Sequence, residues 1–207
     1  MKVFMIMLLG ITLLSCGKKR TIHITATNAA TGMRYAGLEY RVYSSKTGMD
    51  GNEHYKTEAS GTLNENGEAK VTVRDKSYRS YSVRVAEPPN SCYNKQITMF
   101  FDSPFDQNGH FNFEFAECAY MNLSINNINC QGGDLMNFRS RQSYTEWQGW
   151  AGDRVGCYSY LSPYSFQVPA GWRIYEWKVN RDGVITTHTD SIYLNAGVEN
   201  GTFVMNY

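Results

Sequence analysis

The stretch NGEAKVTVR, residues 66–74, contains the pattern that decides the fold class. Ala69, Val71 and Val73 alternate with charged and polar residues, so an extended strand here has one apolar and one polar face. Asn66-Gly67 precedes this run and favours a tight hairpin turn, because both turn positions require positive φ. The stretch therefore predicts a half-buried β-strand that follows a hairpin.

The same alternation recurs on both sides of this strand, and no long amphipathic helical pattern interrupts it. Asp182-Gly183 predicts a hairpin corner between the strands Trp172–Asn180 and Val184–Thr189. Within the first of these strands the apolar parity shifts between Ile174 and Tyr175, which indicates a bulge or burial on both faces. The chain therefore has an all-β composition. The remaining alternating segments are 22–26, 38–43, 81–85, 111–115, 123–125, 192–194 and 203–207.

Parts of the first half resemble transthyretin-like or carboxypeptidase-regulatory-like domains. Residues 28–43 look like their first hairpin, 61–68 like the next turn and 80–85 like the strand after it. The resemblance implies a seven-stranded Greek-key sandwich whose fold carries no reaction of its own. We predict two Greek-key β-sandwich domains of the immunoglobulin/transthyretin-like type in tandem, at residues 21–117 and 118–207. A single larger sandwich of about 190 residues is the alternative.

The N-terminal residues have the features of an exported lipoprotein. Lys2 is followed by the apolar run Val3–Leu14, which is too short for a membrane-crossing helix of about 20 residues. Leu13-Leu14-Ser15-Cys16 resembles the bacterial lipobox, in which the cysteine receives a diacylglyceryl group and becomes the N-terminus after cleavage. The resemblance implies a signal peptide at 1–15, a lipidated tether at 16–20 and lipid attachment at Cys16. An ordinary signal peptide with an incidental cysteine is the alternative.

The residues after Cys16 indicate the destination. Gly17 is not the aspartate that retains many lipoproteins at the inner membrane, so the resemblance implies the bacterial outer membrane. Lys18-Lys19-Arg20 differs from the acidic cluster that some Gram-negative lineages use for surface export, which favours the periplasmic face. We interpret the three cations as a solvated tether near anionic headgroups.

Cys92, Cys118, Cys130 and Cys157 form an even set, which is typical of disulfides in an oxidising compartment. Four cysteines allow three connectivities, and the sequence does not choose among them. We favour Cys92–Cys118 and Cys130–Cys157, because each bridge then closes a loop within one region. The alternative is metal or redox chemistry, but no C-x-x-C occurs and the histidines lie far from the cysteines in sequence. We expect neither a metal nor another cofactor.

The function classes that the sequence disfavours are nucleic-acid binding and catalysis. The formal net charge is +1, with acids and bases interspersed, so no electrostatic surface for nucleic acid is expected. The chain has no G-x-S-x-G, H-E-x-x-H, P-loop or EF-hand motif, so we do not expect an enzyme. We predict a membrane-anchored, non-catalytic binding, adhesive or spacer module whose partner is another envelope protein. An enzyme with a spatially assembled site is a further hypothesis.

Two segments are candidates for a specific role. Tyr144, Trp147 and Trp150 lie among polar residues and could stack on sugar rings or anchor a partner, which would make the chain a glycan-binding accessory lipoprotein. The competing interpretation is that Trp147 and Trp150 fold inward and plug the end of the sandwich. Asp190-Ser191-Ile192 resembles the acceptor motif for periplasmic O-glycosylation in some Gram-negative bacteria, which makes Ser191 a candidate glycosylation site.

Overall fold

The computed structural model describes residues 18–76, 78–102 and 109–207, so Cys16 and the predicted signal peptide lie outside the described residues. Within the described part, no helix has the length and apolar character that a membrane crossing requires. The regular structure there is β-strand, which confirms the all-β prediction. In chain order the strands are β1 (Lys19–Asn28), β2 (Glu39–Thr47), β3 (Glu53–Thr62), β4 (Glu68–Arg74), β5 (Ser80–Val85), β6 (Ser91–Asn94), β7 (Thr98–Asp102), β8 (Gly109–Asn126), β9 (Leu135–Gln142), β10 (Arg154–Val155), β11 (Ser159–Leu161), β12 (Phe166–Pro169), β13 (Gly171–Arg181), β14 (Val184–Leu194) and β15 (Glu199–Asn206).

The chain divides into two compact units, which differ in extent from the predicted domains. The boundary expected at residues 117–118 falls inside β8. This single strand has buried side chains on both sides of that boundary, from Phe111 to Ile125. Each unit also takes segments from more than one part of the chain. Unit 1 comprises the described residues up to Ala26 with Tyr35–Ala86 and Gln96–Phe113, and unit 2 comprises Thr27–Arg34, Glu87–Lys95 and Glu114–Tyr207.

Unit 1 is built from two layers of strands. In one layer β1 pairs antiparallel with β4 and lies beside the first residues of β8, and the other layer has the order β3-β2-β5-β7. The buried Tyr81 hydroxyl donates to the Arg74 carbonyl at 2.8 Å, so this polar group is satisfied in the core. The alternation seen in the sequence buries one face of each layer, through Ile22, Ile24, Val42, Val71, Val73, Tyr81, Val83, Val85, Phe111 and Phe113.

The turn at Asn66-Gly67 corrects the hairpin prediction. Gly67 has positive φ, at 65°, but Asn66 does not. The Asn64 side chain accepts hydrogen bonds from the backbone N–H groups of Asn66 and Glu68, at 2.9 and 3.0 Å, and this turn of the Asx type needs one positive φ rather than two. Because β3 pairs with β2 and β4 pairs with β1, the turn connects strands of different sheets.

Unit 2 also has two layers, and one apolar core lies between them. In the first layer β8 pairs antiparallel with β6, β12 and β11 and parallel with β15; the second has the order β10-β9-β13-β14. The largest fully buried side chains of this core include Tyr175, whose ring stacks on Phe203 at 4.4 Å. Its other main members are Ala119, Met121, Leu123, Ile125, Met136, Val168, Trp177, Val179, Leu194, Met205 and Tyr207.

The β13–β14 hairpin confirms one prediction and decides between the two alternatives of another. Asp182 and Gly183 both have positive φ, at 48° and 84°, as the hairpin prediction required. A bulge or burial on both faces was expected near Ile174, and the pairing register of β13 is continuous from Gly171 to Arg181, which excludes the bulge. The parity shift instead reflects apolar residues on both faces, because Tyr175 faces the core and Ile174 lies on the outer face.

Both disulfides lie in unit 2, with the pairing favoured from the sequence. Cys92–Cys118 joins β6 to β8 with a Cα–Cα distance of 4.8 Å, and Cys130–Cys157 has a corresponding distance of 4.9 Å. The backbone N–H of Cys118 also donates to the Asn90 carbonyl at 2.8 Å. The bridge and this hydrogen bond together hold Pro88-Pro89-Asn90, where the two prolines cannot donate to a strand ladder, against β8.

Candidate functional site: the aromatic loop of unit 2

The aromatic loop, residues 143–153, contains the three aromatic residues singled out from the sequence. Its backbone runs along the edge of β9, where Gln148 N–H donates to the Ser140 carbonyl at 3.0 Å and Ala151 N–H to the Phe138 carbonyl at 2.7 Å. β10 follows directly and continues the contact by pairing Arg154 with Met136. The aromatic loop is therefore held along the edge of its sheet by backbone hydrogen bonds.

Tyr144 is fixed at both its hydroxyl and its ring. The hydroxyl donates to the Ala170 carbonyl at 2.7 Å, and the ring meets the Tyr93 ring edge-on at 5.0 Å. Gly171 lies close by with φ of 102°, and a Cβ there would come within 2.8 Å of the Ala30 Cβ. Glycine at position 171 thus permits the close approach of segment 27–34 beside Tyr144.

Trp147 and Trp150 are half-buried and lie over the outer face of β9 and β13. The Arg139 guanidinium carbon is 4.6 Å from each indole centroid, so this one cation contacts both rings. Arg141 lies 4.9 Å from the Trp147 ring, and the Lys178 ammonium lies 4.5 Å from the Trp150 ring. Each indole therefore contacts two cations of its own sheet, an arrangement stabilised by attraction to the ring face.

The register of β9 against β13 explains how these cations meet the loop. Arg139 pairs across the sheet with Glu176, and its Nη2 lies 2.8 Å from a Glu176 carboxylate oxygen. This ion pair holds Arg139 on the outer face below the indoles. Arg139 and Lys178 lie outside the segment singled out from the sequence, although the odd-numbered polar residues of β9 (Asn137, Arg139 and Arg141) already indicated one outward face.

A second feature of unit 2 is a cleft of about 430 Å³ at the end of the sandwich. His188 lines this cleft and stacks its ring on the core residue Trp177 at 5.4 Å. Its Nε2 lies 3.2 Å from the hydroxyl of Thr186, another lining residue. The walls are mainly apolar and are formed by Ile128, Val179, Arg181, Val184, Thr186, His188, Asn206 and Tyr207.

Asp134 is a buried carboxylate beside Arg181, which lines this cleft. The Asn127 amide donates to it at 2.8 Å, the Gln131 N–H at 3.1 Å, and the Arg181 Nε lies 3.3 Å from the same oxygen. These contacts outweigh the effect of burial and lower the pKa of the Asp134 carboxyl, the Asn127 hydrogen bond being the largest favourable cause. Asp134 is therefore a stabilised anion that fixes the loop before β9.

The histidines of the described residues are dispersed rather than gathered into a site. His23 stacks on His110 at 4.7 Å, and His54 Nε2 lies 3.6 Å from Asp50. Among residues 18–76, 78–102 and 109–207, no group of three or more histidine, cysteine or acidic side chains is placed to hold a metal ion.

Ser191 lies on β14 and is exposed. Its backbone N–H donates to the Asp190 side chain at 2.7 Å. Its side chain shares the outer face of the sheet with Ile174, its partner in the register. Glycosylation at this hydroxyl stays a prediction.

Comparisons with known proteins give distant similarities in structure alone. No protein-family model matches this chain, and no curated protein matches it. The Bacillus anthracis TIE protein is 16% identical over 91% of this chain, with a TM-score of 0.34, and this chain spans 33% of its length. A shaft pilin, SpaA, of Lactobacillus rhamnosus GG is 9% identical, covering 91% of this chain and 98% of the pilin, with a TM-score of 0.38. A minor pilin of Streptococcus agalactiae is 10% identical over 90% of this chain and 95% of the pilin, with a TM-score of 0.34. Identities of 16% or less and TM-scores of 0.38 or less establish no shared function.

Proposed function

We propose that this chain is an exported bacterial lipoprotein, anchored through a lipid on Cys16, that acts as a non-catalytic binding, adhesive or spacer module at the outer membrane. The main supporting observation is that all four cysteines of the described residues are joined in two disulfides within unit 2. Such pairing is typical of proteins that fold outside the cytoplasm. It agrees with the export signal indicated by the N-terminal sequence.

The side-chain contacts support a binding or spacing role over catalysis. Three polar groups of unit 2 with close contacts serve the fold: Asp134 fixes a loop, Tyr144 bonds to a backbone carbonyl, and Arg139 pairs with Glu176. A general base needs a proton donor within hydrogen-bond reach and an orienting group behind it. The Asp50 carboxylate lies beside His54 and the Thr186 hydroxyl beside His188, so the orienting acid and the proton donor lie on different histidines.

Metabolic labelling with palmitate in a Gram-negative host tests the anchor. The full chain is expected to incorporate the label and to enter the outer-membrane fraction, and Cys16→Ser is the matched control because it keeps the signal but removes the thiol. Protection from added protease in intact cells is expected for the periplasmic face. An unlabelled product that keeps residues 1–15 would contradict the proposal, as would free thiols at the four other cysteines.

Glycan binding by the aromatic loop is the second candidate, and the cations beside the indoles favour an acidic glycan. Arg139, Arg141 and Lys178 contact the two rings, and Glu176 is paired with Arg139. A glycan array that includes uronic-acid and neutral sugars tests this function. Binding of acidic glycans that is lost in Lys178→Ala would support it, and absence of all binding would exclude it.

A further inference from the structure

β14 forms an open edge of the second sheet of unit 2. It spans Val184–Leu194 and pairs through every residue with β13, whereas no strand of the described residues pairs with its other side. Its first eight residues are all exposed. An edge of this kind presents backbone N–H and C=O groups that can pair with another strand. Ser191 N–H, which donates to the Asp190 side chain, would exchange that partner for one on the added strand.

Two other edges of the described sheets are protected in ways that β14 is not. The opposite edge of the same sheet is covered by β10 and the aromatic loop. In unit 1 the edge strand β3 carries Glu53, Lys56 and Glu58, and charges on an edge strand oppose association. β14 contains no lysine, arginine, glutamate or proline over its whole length, and Asp190 is its one acidic residue.

The sequence of β14 is complementary to itself when read about its central residue, Thr189. In an antiparallel pair centred there, His188 of each copy lies opposite Asp190 of the other. The same register places apolar residues opposite each other at the ends, Ile185 against Tyr193 and Val184 against Leu194. Val184 and Ile185 are each 65% exposed and Tyr193 is 41% exposed, so the pairing would remove apolar surface from water.

We infer that two copies of this chain associate through β14, in an antiparallel pair centred on Thr189. The interface is isologous, since the same strand serves both copies. Alternate residues of an antiparallel pair exchange two backbone hydrogen bonds, so the eleven residues form about ten across the interface. The reciprocal pairing of His188 with Asp190 places an imidazole N–H donor opposite a carboxylate acceptor and selects this register over its neighbours.

Site-directed cross-linking of the full chain, purified in mild detergent, tests the register. Thr189→Cys places two thiols opposite each other with Cβ atoms about 5 Å apart, so mild oxidation is expected to give a covalent dimer. Thr187→Cys is the matched control: it lies on the same face and is equally exposed, but each copy's residue 187 lies opposite Ser191. The two control thiols are then about 14 Å apart and do not react. Equal cross-linking by both variants, or none by Thr189→Cys, would overturn the inference.

A charge exchange tests the pairing of His188 with Asp190 independently of new cysteines. His188→Asp places like charges opposite each other twice, and we expect the dimer dissociation constant, measured by analytical ultracentrifugation, to rise about tenfold. The double variant His188→Asp/Asp190→His restores the opposite pairing and is expected to recover dimerisation. Circular dichroism confirms that each variant is folded. Single and double variants that both associate like the unaltered chain would show that β14 is not the interface.

Discussion

Replacing both tryptophans of the aromatic loop by alanine is expected to destabilise unit 2 strongly. Removing a fully buried tryptophan typically costs about 3–5 kcal/mol of unfolding free energy. Trp147 and Trp150 are half-buried and each contacts two cations, so about half of that per residue is appropriate, or about 3–5 kcal/mol for the pair. For a chain of this size that corresponds to a decrease in Tm of roughly 10 °C.

Differential scanning calorimetry measures this effect, and circular dichroism reports whether the β-structure persists below the transition. Trp172→Ala is the matched control, because Trp172 is 50% exposed and its ring meets Tyr193 edge-on at 5.4 Å. We expect that variant to lower Tm by about 2–4 °C. Arg139→Met is a second probe, since Arg139 contacts both indoles and its loss should reproduce part of the double variant's effect.

A decrease in Tm of less than about 2 °C in the double tryptophan variant would refute this reasoning. The indole–cation contacts would then contribute little to the fold. If the same variant also lost binding on the glycan array, the aromatic loop would be a recognition surface. A large decrease in Tm without any glycan ligand would assign the two tryptophans to the fold of unit 2.

Three further changes probe unit 2. Cys92→Ala with Cys118→Ala removes a bridge between residues 26 apart, and the chain-entropy estimate for that loop is a loss of about 3.5 kcal/mol by urea unfolding; unchanged stability would show that the bridge constrains nothing. Because the Asn127 hydrogen bond lowers the pKa of Asp134, the stabilisation is present above the unfolded-state pKa of about 4 and is lost as pH falls through the lower folded-state value. Asp134→Asn should therefore lose less stability between about pH 4 and pH 2 than the unaltered chain, and parallel pH profiles would contradict this. Gly171→Ala combines a positive φ with a steric clash, so a Tm lowered by several degrees is expected, and an unchanged Tm would show that segment 27–34 can move away.

The strands could be predicted from local patterns, because alternation is a property of neighbouring residues. Ile22 and Ile24 in β1, and Val71 and Val73 in β4, are buried as their alternation required. The Asp182-Gly183 corner followed from the two positive φ values that its residues tolerate. In these cases the physical cause lies within a few residues along the chain.

The arrangement of the strands could not be predicted in the same way. Nothing in the sequence around Gly67 says that β4 pairs with β1 rather than with β3, since edge pairing depends on residues far apart in the chain. The two predicted domains likewise met at residue 118, whereas β8 continues through that position as one strand. The Greek-key assignment and the transthyretin-like resemblance stay predictions.

The candidate site could likewise be predicted only in part: its tryptophans could be found from the sequence, but the cations that contact them could not. Trp147 and Trp150 could be singled out because both are large aromatic residues with polar and charged neighbours in the sequence. Their cation partners come from β9 and β13, and the register that places Arg139 opposite Glu176 brings them together. The alternating charges of β9 were visible in the sequence, but which residues the aromatic loop covers is decided only by the folded sheet.

The O-glycosylation predicted at Ser191 and the association inferred through β14 compete for the same strand. In the antiparallel pair centred on Thr189, Ser191 lies opposite Thr187 of the second copy, on the outer face of the sheet. Opposed Cβ atoms in such a pair are about 5 Å apart, so a glycan that projects from Ser191 would crowd the outer-face side chains of the second copy. A glycan at Ser191 would therefore protect the edge as charges protect β3, and the bare serine would leave it available to a second copy. If both predictions hold, a chain glycosylated at Ser191 is expected to dimerise through β14 less than the unmodified chain.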